Sequence, residues 1–114
     1  MDLPPYEINV SADADTSTVH LAGEIDYAAS LDLKPKLQEL TSQCRGNLLI
    51  DLNEVTFIDS EGIKALMAAF RWMHEKQGQA QIVRCSSCVQ RVLKLTGLEF
   101  LLEASQPAGA NACD

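Results

Sequence analysis

The sequence predicts an α/β fold, with a mixed, mostly parallel sheet, an N-terminal hairpin and helices packed on the sheet. Residues 6–10 and 18–22 alternate apolar and polar side chains and are separated by a turn-rich stretch, 13–17, which indicates an antiparallel hairpin. Amphipathic helices then alternate with short apolar strands along the chain. That order favours right-handed crossovers between parallel strands, so the hairpin makes the sheet mixed.

The first helix is predicted from about Ser30 to Cys44. Pro35 is expected in its first turn, where backbone N–H groups have no helical partner in any case. Gly46 lies just past the predicted end, a position that glycine favours. One apolar stripe recurs at helical spacing and predicts the buried face: Leu33, Leu37, Leu40 and Cys44.

A short apolar run, residues 48–52, predicts a strand covered on both faces, followed by a turn at residues 53–54 and further apolar residues at 55–58. The next helix opens at residues 59–62, where Asp59 or Ser60 can cap it and Glu61 complements its positive end. Gly78 is expected to end this helix. Its predicted inward residues are Ile63, Leu66, Met67, Phe70 and Met73.

A fourth strand is predicted at 81–84, and a third helix follows with Ser86 or Ser87 as its cap. Residues 100–102 are expected to form a short last strand. The predicted inward residues of the third helix are Val89, Val92, Leu93 and Leu95.

Length and charge limit the classes of function. The 114 residues suit one domain, with a folded core at about 5–104 and a flexible tail at 105–114. Nine Lys and Arg residues against 16 Asp and Glu residues give a net charge of −7, which argues against general binding to nucleic acid or an anionic membrane. No apolar run approaches the ~20 residues that span a bilayer, and the N-terminus lacks a signal-peptide pattern, so we expect a cytoplasmic protein.

Cys85 and Cys88 form a CxxC motif. A structural zinc site needs four ligands, so one pair is weak evidence for a metal. We interpret the motif as a strand end and helix cap, and keep a redox or metal function as an alternative. We expect no metal and no cofactor.

Catalysis is not expected of this chain. Ser60 lies in no GxSxG motif, His20 belongs to a strand interior, and His74 lies at the far end of the Ser60 helix. Asp59 and Glu61 point in different directions at a helix start, so they do not converge on one bond.

Two polar segments follow neighbouring predicted strands. Asp26 follows the second strand, and Ser60 follows the third. Ligand sites in open α/β sheets gather beyond the carboxyl ends of the strands. If these strands are parallel neighbours, Asp26 and Ser60 share one end of the molecule.

The chain resembles the STAS domain family (sulfate transporter and anti-sigma antagonist). Residues 55–62 read VTFIDSEG and are preceded by IDL at 50–52, where the family has a Leu-Asp-Leu strand end followed by Val-Thr-Phe-Ile-Asp-Ser-Ser-Gly-Leu. Residues 23–26, GEID, resemble the family's Gly-Glu-Leu-Asp. Residues 92–98, VLKLTGL, resemble its last-helix pattern. The three matches follow in the family's order and span most of the chain.

A free-standing domain of this length resembles the bacterial anti-sigma-factor antagonists, in which the Ser after the Asp is phosphorylated. Carried onto this chain, the phosphoacceptor is Ser60. Asp26 and Asp59 match acidic positions of the partner-facing surface, to which Glu61 and Gly62 also belong. Glu61 departs from the family, which usually has a small residue there.

The resemblance implies partners as well as a site. One partner is both anti-sigma factor and GHKL-type serine kinase, and the other is a PP2C-like phosphatase. Binding of the unphosphorylated domain would free the sigma factor for transcription. The alternative is a constitutive STAS adaptor subunit, for example of a lipid-transport ATPase complex, without a phosphorylation cycle. The oligomeric state is left open.

Overall fold

The computed structural model describes residues 5–13 and 15–105, with side chains up to residue 102. The tail expected to be flexible lies outside the described residues from position 106 onward. Four strands and four helices make up the described chain: β1 (Tyr6–Ala12), β2 (Thr16–Ile25), α1 (Tyr27–Gln43), β3 (Asn47–Ile58), α2 (Ser60–Glu75), β4 (Gln79–Cys85), α3 (Ser87–Leu95) and α4 (Phe100–Ser105).

The four strands form one sheet in the order β1-β2-β3-β4. β1 pairs antiparallel with β2, whereas β2 with β3 and β3 with β4 are parallel. The predicted hairpin and mixed, mostly parallel sheet are therefore confirmed. Ile25 and Ile58 are paired at the last rung between β2 and β3, so α1 and α2 begin side by side.

One face of the sheet carries the core. Val19, Leu21 and Ile50 are fully buried and belong to one apolar cluster that draws residues from the sheet and all four helices. Leu49, between two buried residues of β3, is only half-buried and lies outside that cluster. On the opposite face Asp51 is buried, so the predicted cover on both faces is confirmed at Asp51 and is incomplete at Leu49, and this face of the sheet is the more open one.

β3 runs without a break through the turn predicted at Asn53 and Glu54. His20 of β2 pairs with Asp51 of β3, and Ala22 pairs with Glu54. β3 therefore has one more residue than β2 between these two pairs. The extra residue is a β-bulge, which keeps the strand in the sheet and re-aims its side chains. Polar residues at this point mark the bulge and not a turn.

α1 begins at Tyr27, earlier than predicted, because Asp26 is its N-cap. Pro35 consequently lies in the third turn, and the expected first-turn position is wrong. Proline has no N–H to donate to the carbonyl of Leu31. Pro35 and Leu31 are both exposed, so water can donate the missing hydrogen bond to the carbonyl of Leu31.

The C-terminal part differs most from expectation. Residues 100–102 belong to α4 and not to a strand, and Leu95 is 78% exposed because α3 ends there. Met67 is 38% exposed and does not face the core as predicted. α2 ends before the predicted Gly78: Lys76 is its C-cap, and Gln77 takes the left-handed conformation with φ of 64°.

Candidate functional site

The candidate site lies where the parallel strands β2 and β3 end and α1 and α2 begin. Asp59 is the N-cap of α2 in extended backbone conformation. One carboxylate oxygen accepts the N–H groups of Glu61 and Gly62, both at 3.0 Å. The other accepts the N–H of Tyr27, the first residue of α1, also at 3.0 Å. One side chain thus satisfies orphan donors of two helices.

Asp26 occupies the equivalent position at the start of α1. It has nearly the same backbone angles as Asp59 and accepts the N–H of Ala29 at 3.0 Å. Its second carboxylate oxygen accepts no hydrogen bond from the residues that the structure describes, and the side chain is only half-buried. Asp26 therefore has one carboxylate oxygen that can still accept a hydrogen bond, whereas both oxygens of Asp59 already accept one.

Ser60 is the first residue of α2 and is exposed. Its hydroxyl consequently lies at the positive end of a helix dipole, within reach of solvent. Glu61, the neighbouring residue, is half-buried and forms an ion pair with Lys64 at 3.1 Å. The unusual charge beside Ser60 is thus partly balanced by a lysine on the same helix.

Gly62 is buried where α2 approaches the end of β2. A Cβ at this position would collide with the carbonyl oxygen of Ile25 and the side chain of Ile58. Glycine here lets the helix start close to the strand. Its position gives Gly62 a packing role, and it presents no side chain to a partner.

A second polar contact joins α1 and α2 at their other ends. Lys76, the C-cap of α2, donates its Nζ to the carbonyl oxygens of Thr41 at 2.6 Å and Ser42 at 3.2 Å. A cation near the last carbonyls of a helix also complements its dipole. Asp59 and Lys76 therefore hold the two helices in register at both ends.

The histidine of α2 lies far from Ser60. His74 lies in the last turn of the helix that Ser60 begins, so the two are separated by roughly 20 Å at 1.5 Å per residue. In the described part of the chain, no group of three or more His, Cys, Asp or Glu residues could hold a metal ion. Cys85 is buried and Cys88 half-buried, while Ser86 caps α3.

The sheet carries a charged cluster that the sequence did not predict, formed by His20, Asp51, Glu54 and Arg84. Both ring nitrogens of His20 face carboxylates, with Nδ1 3.1 Å from Asp51 Oδ2 and Nε2 2.7 Å from Glu54 Oε2. The ring can donate to both only as an imidazolium. Arg84 donates to the same Asp51 oxygen at 2.8 Å.

These contacts shift the pKa values of the cluster. The hydrogen bond to Glu54 is the largest effect on His20 and, with the charge of Asp51, raises its pKa above 6.5 although burial opposes the shift. Burial is the largest effect on Asp51 and raises its pKa, but the Asn53 N–H, Arg84 and His20 together outweigh it, so the net pKa is lowered. The cluster therefore favours its fully charged state.

Bulges in two neighbouring strands assemble this cluster. The bulge of β3 lies between Asp51 and Glu54. A second bulge lies in β4, because Ile50 pairs with Ile82 while the next residue, Asp51, pairs with Arg84. Ile82 faces the core, and the extra residue lets Arg84 turn to Asp51 on the other face. The only sequence signal was a charged residue within each apolar strand.

Two large apolar side chains are exposed beside the candidate site. Tyr27 is 60% and Leu31 is 62% exposed, one turn apart on α1. Together with Glu61 and parts of α1 they line an open depression of about 280 Å³.

Among the described residues, no helix is both long and apolar enough to cross a membrane.

Comparison with known proteins places these features in a family. A model described as "Mlab, STAS domain" matches residues 8–103. The chain belongs to the STAS domain family. This confirms the resemblance drawn from residues 55–62 and from the two shorter motifs.

Similar proteins include anti-sigma factor antagonists. An anti-sigma-B factor antagonist of Listeria monocytogenes is 29% identical over 97 residues, covering 85% of each chain. An anti-sigma factor antagonist structure from Mycobacterium paratuberculosis has a TM-score of 0.76 at 26% identity and covers 90% of this chain and 87% of that one.

The anti-sigma factor antagonist SpoIIAA shares the fold. Its unphosphorylated form has a TM-score of 0.74 at 19% identity, covering 84% of this chain and 85% of that one. Its phosphorylated form has a TM-score of 0.68 at 18% identity, covering 84% and 88%.

Proposed function

We propose that this STAS domain is an anti-sigma-factor antagonist and a binding module without enzymatic activity. When Ser60 is unphosphorylated, it binds an anti-sigma factor that is also a GHKL-type serine kinase, and the sigma factor is released. The observation that carries this proposal is the exposed Ser60 at the start of α2, with the half-buried Asp26 at the start of the neighbouring helix α1. The names of the relatives support the same function.

Phosphorylation of Ser60 is expected to leave the fold intact. It adds about −1.5 to −2 charges at an exposed position. The start of α2 stabilises an anion there by about 0.3–1 kcal/mol, while repulsion from Asp59 and Glu61 opposes it by a similar amount. Because these effects nearly cancel, the phosphate acts on the partner and not on the domain.

At an interface the same phosphate has a larger effect. An anion that is desolvated or faces a like charge costs several kcal/mol. A cost of ~3 kcal/mol weakens binding more than about 100-fold. A local change at Ser60 is therefore sufficient for partner switching, and a PP2C-like phosphatase would restore the binding form in the cytoplasm.

The test mixes the domain with its cognate kinase, ATP and Mg²⁺ and maps the phosphate by mass spectrometry. We expect phosphate on Ser60 and none in Ser60→Ala. Ser60→Asp should weaken the complex while leaving the thermal midpoint nearly unchanged. Phosphate on Thr56 or Ser30 would refute the assignment.

A constitutive adaptor is the second candidate, because Glu61 already places a carboxylate next to the acceptor hydroxyl. The matched family model is also described by the name Mlab. An adaptor should co-purify with a transporter ATPase and not with a serine kinase. Ser60→Asp would then leave its complex unchanged, which separates the two functions.

A further inference from the structure

Two exposed apolar side chains of α1 lie next to the start of α2. Tyr27 and Leu31 are among the most exposed large apolar side chains of the described chain and lie one turn apart, so they share a face of α1. They line the same depression as Lys34 and as Glu61, the residue that follows Ser60. The backbone N–H of Tyr27 is also bonded to Asp59, which precedes Ser60. The apolar pair therefore borders the proposed phosphorylation site.

The core does not explain these two side chains. The buried face of α1 is formed by other positions, including Leu33 and Leu37, both fully buried. Adjacent exposed apolar side chains are typical of interaction surfaces, and tyrosine, unlike leucine, is enriched among the residues that dominate binding energy. Tyr27 and Leu31 thus have the character of a binding anchor.

The charge of a phosphate on Ser60 limits which partner surfaces fit Tyr27 and Leu31. A partner with Lys or Arg opposite Ser60 would gain charge-assisted hydrogen bonds on phosphorylation and would bind more tightly. Release requires that no cation faces the phosphate. An apolar partner surface meets this requirement, because it packs on Tyr27 and Leu31 and removes water from a neighbouring anion without replacing its hydrogen bonds.

We propose that Tyr27 and Leu31 anchor an apolar surface of the anti-sigma factor. Phosphate on Ser60 releases this partner because docking would remove water from the phosphate. This inference rests on the proposed function. It adds the chemistry of the partner surface and chooses desolvation over like-charge repulsion as the cause of release.

The anchor is tested by titration calorimetry of the unphosphorylated chain with the anti-sigma factor. Leu31→Ala should weaken binding about tenfold or more. Leu95→Ala is the matched control, because Leu95 is 78% exposed at the last residue of α3, and its affinity should stay within about twofold. Both variants should keep the wild-type thermal midpoint, since neither side chain is in the core.

The outcomes distinguish the two proposals. If the wild-type chain does not bind an anti-sigma factor, the proposed function fails. If the wild type binds and Leu31→Ala binds as tightly as Leu95→Ala, the anchor is wrong and the proposed function stands. Tyr27→Ala provides a second variant, because it leaves the backbone bond to Asp59 in place.

The cause of release is tested by salt. The affinity ratio of wild type to Ser60→Asp is measured at about 0.05 M and about 0.5 M salt, where the screening length falls severalfold. Desolvation predicts that the ratio is nearly the same at both concentrations. A ratio that falls towards one at high salt would overturn desolvation and favour repulsion between like charges.

Discussion

Carboxylates meet at two places in this molecule, and their partners differ. At the helix starts, Asp26 and Asp59 accept backbone N–H groups. On the open face of the sheet, Asp51 and Glu54 are held by the side chains of His20 and Arg84. Backbone donors neither titrate nor change rotamer, so the helix starts hold a fixed surface around Ser60. The sheet cluster depends on the proton of His20.

The two aspartates at the helix starts differ in turn. Asp59 accepts N–H groups from both helices, whereas Asp26 accepts only that of Ala29 among the described residues. The same residue type at equivalent strand ends thus has two sets of contacts. Asp59 fixes the position of α1 relative to α2, and the second carboxylate oxygen of Asp26 accepts no hydrogen bond from the described residues.

The largest expected effect on stability separates these aspartates. Asp59→Ala should lower the free energy of unfolding by about 2–3 kcal/mol, because a lost N-cap costs about 1–2 kcal/mol and the bond to Tyr27 adds about 1. Asp26→Ala should cost only about 1 kcal/mol. Urea denaturation measures both, and equal losses would contradict the assignment.

On the sheet, Asp51→Ala should lower the free energy of unfolding by about 2 kcal/mol. Asp51 is only 7% exposed, and its removal leaves His20 and Arg84 without their shared acceptor. Affinity for the anti-sigma factor should stay within about twofold, because the cluster faces away from the helices. A large loss of affinity in a folded variant would mean that the two regions are not separate.

The pH dependence of stability provides a finer test. Since the pKa of His20 is raised in the folded state, its stabilising effect is fully present below pH 6.5 and is lost as pH rises through the raised pKa. His20→Gln removes this effect. The difference in unfolding free energy between wild type and variant should be larger at about pH 5.5 than at about pH 8.5. A difference of equal size at both pH values would be inconsistent with an ionised His20.

The smallest expected effect concerns the far end of α2. Gln77 has a left-handed φ of 64° and its N–H bonds the carbonyl of His74. Glycine adopts this conformation without steric cost, so Gln77→Gly should stabilise the chain by about 0.5–1 kcal/mol. Thermal unfolding measures the shift, and a lower midpoint would contradict the proposed strain.

The sequence was sufficient where local rules decide. The hairpin followed from period-two alternation, and the buried stripe of α1 followed from helical spacing, with Leu33, Leu37 and Leu40 all buried. The parallel ladder also places the starts of the Asp26 and Ser60 helices together, as predicted. The hairpin and the stripe need no knowledge of distant contacts, whereas the joint position of the helix starts depended on β2 and β3 being parallel neighbours.

The sequence was insufficient where strands set one another's register. The cluster around His20 exists because β3 and β4 each have a bulge, and a bulge depends on the partner strand. The bond from Tyr27 to Asp59 likewise joins residues 32 positions apart. Pro35 lies in the third turn and not the first because Asp26 caps α1 four residues before Ser30, the predicted start.

The most direct test of the account measures the affinity of the chain for its anti-sigma factor before and after stoichiometric phosphorylation of Ser60. We expect the dissociation constant to rise more than about 100-fold while the thermal midpoint of the domain stays the same. A phosphorylated chain that binds as tightly as the unphosphorylated one would contradict it.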